Sequence, residues 1–301
     1  MLVNEITSAR RRKRLLKDNI EGYCFIGPWL IGFFLFTFGP MLYSIFLSFT
    51  SWDILTPPRW VGVANFRAVI HDSVFWKALY NTFYYALFSV PSGLVVALLL
   101  AVLLNQKVKG QGLFRTFFYL PSVVSGVATS FLWLWIFNPD YGMANQVLQF
   151  LHLPTLGWLT SMRWSKPSLI IMSLWACGGS MLIFLAGLQN IPRELYEAAQ
   201  IDGAKRFQTF KAITIPLLSP SIFFNLIIGL ITSLQIFTPA YIMTKGGPVN
   251  ETLFYVLYLY RSAFEWFKMG YASALAWILF VIILVLSLIQ MKSSSHWVHY
   301  Q

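Results

Sequence analysis

The stretch "ELYEAAQIDGAKRFQTFKAITIPLL", Glu194 to Leu218, mixes charge, small residues and helix signals between two strongly apolar segments. Pro192 just ahead of it and Glu194 at its head read as a helix start, with the carboxylate complementing the positive end of the helix dipole. Leu195, Ala198 and Ala199 recur at helical spacing on one side. Asp202-Gly203 breaks that helix, because Gly takes a left-handed C-cap without a Cβ clash. A second short helix from about Ala204 puts Phe207, Phe210 and Ile213 on one face. Pro216 and Pro220 lack backbone donors and are expected to end it. Residues 190–216 thus read as helix, Gly turn, helix. Such a hairpin either rests amphipathically on a bilayer surface or docks a partner whose movement it passes to the flanking segments.

What flanks the hairpin follows from composition. Of 301 residues, 57% are hydrophobic and 11% charged, where a soluble domain carries about 25% charged residues. The chain reads as an all-α membrane protein. Six stretches free of Asp, Glu, Lys and Arg are long enough to cross the hydrocarbon core: Tyr23 to Ser48, Ala78 to Leu104, Thr116 to Phe137, Pro167 to Gln189, Leu217 to Met243 and Tyr271 to Met291. The first is too long for a signal-peptide core and no small-x-small site follows it, so it is expected to be retained. The predicted organisation is a basic segment over 1–22, a six-span domain over 23–291 with the hairpin between spans four and five, and a tail over 292–301.

Lys and Arg placement sets the orientation. Arg10, Arg11, Arg12, Lys13, Arg14 and Lys17 precede the first span. With the N-terminus inside, inner segments hold fourteen of the 22 basic residues and outer loops the other eight. Both termini and the hairpin are then cytoplasmic. The net charge of +11 and the run "RRRKR" would also suit nucleic acid, but beside a hydrophobic span the topological reading accounts for them.

Residue chemistry excludes several functions. The predicted spans hold no carboxylate and no His, whereas intramembrane enzymes and ion-coupled carriers need ionisable or metal-binding groups there. His71, His152, His296 and His299 lie in loops or tails without metal-ligand spacing, and "KGQG" and "KGGP" lack the spacing of a phosphate-binding loop. Cys24 and Cys177 fall at different membrane depths, so no disulfide is expected. No catalytic residue, metal or cofactor is implied.

Glu197-Ala198-Ala199, three residues, Gly203, and later "ITIP" from Ile213 resemble the EAA signature of permease subunits of binding-protein-dependent ABC importers. "IGPWLIGFFLF", "FTFGPMLYSIFLSFTSWD", "WVGVANF" before "ALYNT", "GLFRTFFYLPSVVSGVATSFLWLWIFNPDYGMAN", "PAYIMTKGGPVNETLFYVLYLYRSAF" and "MGYASALAW" extend the resemblance over nearly the whole chain. They are similar to the first permease subunit of maltose-, lactose- and glycerol-3-phosphate-type importers, without the extra N-terminal spans and large outer domain of the maltose subunit. The resemblance implies a non-catalytic subunit in a bacterial or archaeal plasma membrane. Its implied partners are a second homologous permease, two cytoplasmic ATPase subunits that bind the ATP, and an extracytoplasmic sugar-binding protein. Glu197, Ala198, Ala199, Asp202, Gly203 and Phe207 would form the coupling element. A six-span channel or scaffold not coupled to ATP is the alternative.

A sugar path needs hydroxyl partners and aromatic faces near the membrane centre. Spans three to five offer Ser125, Thr129, Trp133, Ser173, Trp175, Ser180, Asn225, Ser233 and Gln235. The resemblance favours Ser173, Ser180, Ser233 and Gln235 among these, and Trp175 supplies a stacking face. Packing and interfacial roles compete at every one. In the outer loops, Phe254, Tyr255, Tyr258, Tyr260, Phe264 and Trp266 are expected on an interfacial helix.

Overall fold

The computed structural model describes residues 19–106 and 109–299. Helices carry nearly all of its regular structure, as lipid demands, since only intrasegment hydrogen bonds satisfy the backbone there. Four helices are long and apolar enough to cross a membrane: α1 (Asn19–Ser48), α3 (Ser73–Leu104), α10 (Arg206–Leu234) and α12 (Met269–Ser294). Two bent pairs pass the same test jointly, α4 (Gln111–Val123) with α5 (Gly126–Ile136) and α7 (Ser165–Trp175) with α8 (Gly178–Gln189). The chain therefore has four to six candidate spans. Shorter helices α2 (Ala64–His71), α6 (Met143–Phe150), α9 (Arg193–Ile201) and α11 (Tyr255–Tyr260) connect them. Thr50–Ser51 pairs antiparallel with Arg59–Trp60 in a minimal hairpin after α1.

Beyond shifts of a few residues at the span ends, three features differ from those the sequence suggests. The stretch 116–137 is no straight rod: α4 and α5 meet at 99°, and Ser125 restarts the helix by accepting the Ala128 N–H on its Oγ at 3.3 Å. The stretch 217–243 is no continuous rod: its long helix ends at Leu234, Gln235 to Phe237 are not helical, and a short, wide helical segment resumes at Thr238 and runs to Thr244. Pro216 and Pro220 do not stop the second helix of the hairpin, which runs on from Arg206 to Leu234. A π-turn at Phe210–Thr214 widens the helix just ahead of Pro216, with the Ile215 N–H reaching back to Phe210 O. The carbonyl of Pro216, which Pro220 cannot serve, accepts instead from Ser219 Oγ at 2.6 Å. The missing donors are thus absorbed rather than left open.

The core has two parts, both leaning on α3, which at 32 residues extends about 48 Å. Near its start, Phe75, Ala78 and Tyr85 pack with Leu169, Phe254, Tyr255, Leu257 and Leu275. Near its end, Ala97, Ala101 and Leu104 pack with Met181, Phe184, Leu188, Ile191 and Leu218. The aromatic run expected at the interface belongs partly to the first of these: Phe254, Tyr255 and Tyr258 are buried. Polar side chains of α3 draw it in. Asn81 donates to Asn250 O at 2.7 Å and Leu253 O at 3.2 Å. Thr82 Oγ1 accepts the Tyr255 N–H at 2.8 Å, capping α11 from another helix, and the Tyr255 hydroxyl donates to Leu275 O at 2.8 Å.

That cap carries a prediction. Thr82→Val keeps the shape but leaves the Tyr255 N–H buried without a partner, which costs about 1–3 kcal/mol. Thermal unfolding in detergent should show a lower melting temperature for Thr82→Val and a much smaller drop for Thr82→Ser.

Candidate functional site

The breaks in the helices converge. Gly126 at the head of α5, Ala176 and Cys177 between α7 and α8, and Gln235 to Pro239 beyond α10 all line one cavity of about 460 Å³. Gly126 lies opposite Thr238, whose Cγ2 stands 3.7 Å from the place a Cβ would take. Gly178 brings α8 against α4 so closely that a Cβ there would sit 2.5 Å from Phe118 O. Helices α5 and α8 begin at the cavity; Ser125 caps the Ala128 N–H of α5, and the other N–H groups of a first turn have no intrahelical partner.

Ser173, Ser180, Ser233 and Gln235 all line this cavity, with Asn225 and Thr232 from α10. Its described lining contains no Asp, Glu, Lys, Arg or His. Trp175 lies elsewhere: it lines an apolar groove with Phe117, Leu120 and Leu174 and meets the Trp133 ring edge-on at 6.0 Å. Two residues beyond Ser173 on the same helix, Trp175 points about 200° away around its axis and so leaves the cavity face. Sequence reasoning missed Tyr85 and Ser89, which α3 presents to the cavity. The signal was legible, since Asn81, Tyr85 and Ser89 recur every fourth residue, one polar stripe on a long apolar helix.

The helix-turn-helix lies at the other end of α8 and α10. Helix α9 closes with Ala204 N–H to Ala199 O at 2.9 Å and Gly203 N–H to Gln200 O at 3.1 Å, and Gly203 takes φ +75°. This is the left-handed closure that an L side chain resists. Asp202 is the helix C-cap. Glu197 and Ala198 are exposed and Ala199 is half-buried. Ile201 and Phe207 stand 87% and 75% exposed, prominent apolar side chains beside charged neighbours. Tyr196 OH meets Thr214 Oγ1 at 3.0 Å, and Tyr196 and Ile213 pack onto the second core. From Ser180 to Gln189 the rise along α8 is about 14 Å, so one rigid rod touches both cavity and hairpin base.

The cavity's opposite neighbourhood is charged. Glu251 bridges Lys77 and Lys166, each at 2.5 Å, while Lys166 also donates to Asn81 Oδ1 at 3.1 Å and lies over the Tyr80 and Tyr84 rings at 5.2 and 5.0 Å. Burial works to raise the Glu251 carboxyl, but the hydrogen bonds and charges of Lys166 and Lys77 outweigh it and hold the carboxyl below its usual range. The loop carrying Glu251 is so tied to α3 and α7, and its Phe254 ring packs on the cavity residue Tyr85 at 5.4 Å.

Residues 71–293, which hold the cavity, the hairpin and the Glu251 bridge, match the family described as binding-protein-dependent transport system inner membrane component. The chain belongs to this family. As such a permease it is the membrane-embedded, non-catalytic part of a transporter. It is 47% identical, over all of its length and 99% of the relative, to the probable ABC transporter permease protein YesP of Bacillus subtilis. It is 37% identical to the lactose transport system permease protein LacF of Rhizobium radiobacter, over 90% of this chain and 93% of that one. A solved chain of a bacterial alginate ABC transporter, in complex with an alginate pentasaccharide-bound periplasmic protein, superposes with TM-score 0.81 at 26% identity, covering 93% of this permease and 96% of that chain.

The charged bridge gives this permease a pH dependence. Because the folded-state Glu251 value is depressed, its contribution to stability is fully present above the ordinary glutamate value of about 4.5 and is lost as pH falls through the lower folded-state value. Glu251→Gln, which strands the buried Lys166, should melt well below wild type at pH 7, and the gap should shrink as melting is repeated at pH values below 4.5.

Proposed function

We propose that this permease forms one half of the translocation path of an ATP-driven sugar importer. In this reading it has six spans, each bent pair being one, with both termini and residues 190–216 in the cytoplasm. It pairs with a second permease, two ATPase subunits that bind the ATP, and an extracytoplasmic sugar-binding protein. The observation that carries the reading is the uncharged, hydroxyl- and amide-lined cavity joined through α8 and α10 to an exposed hairpin. A neutral polar cavity suits hydroxylated solutes, and its described lining offers no titratable carboxylate or His to carry a coupling proton. The lactose and alginate transport of similar proteins agrees with a saccharide cargo.

Phe207 and Ile201 would enter a cleft of an ATPase, with Glu197 making polar contacts and Gly203 allowing the tight turn. Closure of the ATPases would push the hairpin. The push would travel along α8 and α10 as rigid-body motion, switching the cavity between inward and outward access. Ser173, Ser180, Ser233 and Gln235 would meet the passing sugar, together with Tyr85 and Ser89.

Two measurements test the reading. Nothing lies within 4 Å of a Cβ on Gly203, so Gly203→Val acts through the backbone alone, at a cost of about 1–2 kcal/mol or more. The variant should insert normally yet lose ATPase stimulation by sugar-loaded binding protein. Wild-type stimulation would overturn the coupling assignment. Gln235→Ala removes one hydrogen-bonding group from the cavity, worth about 1 kcal/mol. Sugar flux in proteoliposomes should fall several-fold while ATPase stimulation is largely kept, and flux should survive an ionophore as long as internal ATP holds.

A further inference from the structure

A separate cavity of about 470 Å³ shares no lining residue with the one at the helix breaks. Trp52, Trp266 and Phe267 give it aromatic walls, and Asn65, Asp72 and Lys268 supply polar groups. On the topology proposed above it opens on the outer face. Its walls come from segments far apart in sequence that are sewn together. Asn65 Nδ2 donates to Ser48 O and Thr50 O, both at 2.8 Å, and the Met269 N–H donates to Trp52 O at 2.9 Å. Tyr271 donates to Asp72 Oδ2 at 2.7 Å, and Tyr258 donates to the same oxygen. Burial would raise the Asp72 carboxyl, but these phenols and nearby backbone N–H groups outweigh it and keep the carboxyl below its usual range.

Within this rigid frame two large rings are left uncovered. Trp266 is 46% exposed and Phe267 53% exposed. Phe267 moreover sits at φ +55°, a left-handed conformation that a bulky residue adopts only under strain. The left-handed turn closes the helical segment Arg261–Glu265, whose C-cap is Trp266, and the Lys268 N–H donates to Ser262 O at 2.8 Å; such a position favours Gly, yet here it carries a large ring held out over the cavity. With both amide hydrogens engaged, Asn65 has its oxygen to offer and Lys268 is a donor, while Asp72, whose oxygens already accept from Tyr258, Tyr271 and the Val74 N–H, holds the wall together. Aromatic faces for C–H surfaces, with an amide acceptor and an ammonium donor for hydroxyls, match a pyranose, and the volume is in the range of small-molecule sites.

We infer that this cavity is an outer saccharide subsite that holds a terminal pyranose of the imported sugar before it enters the translocation cavity. The ligand class rests on the sugar-import reading. The test uses the assembled transporter in nanodiscs, without binding protein, and a library of neutral and uronate-containing di- to tetrasaccharides. Import by proteoliposomes supplied with ATP and the binding protein first identifies a transported member, and equilibrium binding of that radiolabelled member is then measured with the binding protein left out. Trp266→Ala and Phe267→Gly should each weaken binding about tenfold. Phe267→Gly, which relieves the strained φ, should keep or raise the melting temperature at the same time. Unchanged binding in both variants while import persists overturns the subsite and leaves the import reading standing. A parallel loss of binding and melting temperature in Phe267→Gly assigns the ring to packing and also overturns it. Import of no member by wild type overturns the sugar reading and, with it, the ligand assigned here.

Discussion

A backbone amide left without a partner in hydrocarbon costs several kcal/mol, and the arrangement of this permease follows from that constraint. Long helices satisfy it by themselves. Where the helices break, at Val124 to Ser125, at Ala176 to Cys177 and beyond Leu234, the exposed backbone is gathered around one cavity. The permease thereby concentrates its irregular backbone where a polar solute can use it. The same constraint explains how α10 passes Pro216 and Pro220: a π-turn and the Ser219 hydroxyl take up the unmatched groups.

Continuity of α10 matters for mechanism. Had the helix ended at Pro216, the hairpin would hang from a hinge and a push on Phe207 would be dissipated there. As it stands, one rod runs from Arg206 to Leu234, and the Tyr196 to Thr214 hydrogen bond fixes the first helix of the hairpin to it. Packing of Ile191 and Leu218 against Ala97, Ala101 and Leu104 ties both to α3, the element that also carries Tyr85 and Ser89 into the cavity.

At the other end, α3 organises the loops through side chains. Asn81 and Thr82 hold the segment before α11, Asp72 receives two phenols, and Lys77 shares Glu251 with Lys166. Each contact joins residues more than eighty positions apart. The loops thus behave as a fitted cover, which is what buries Phe254 and Tyr255 despite their interfacial composition.

The sequence by itself determined the features that depend on local chemistry and composition. Low charge and long apolar runs specify helices in lipid. The Glu197-Ala198-Ala199 and Gly203 pattern specifies the turn, because positive φ at that point is a property of one residue and its neighbours. It also supplied four residues that share the cavity, Ser173, Ser180, Ser233 and Gln235. Tertiary structure alone decided the 99° bend at Ser125 and the burial of the aromatic run after Leu253. Those depend on which distant groups meet an orphaned N–H or fill a gap beside it. Hydropathy and periodicity register how apolar a segment is and which face it shows. They carry no record of the partner that makes a break, or a buried ring, stable.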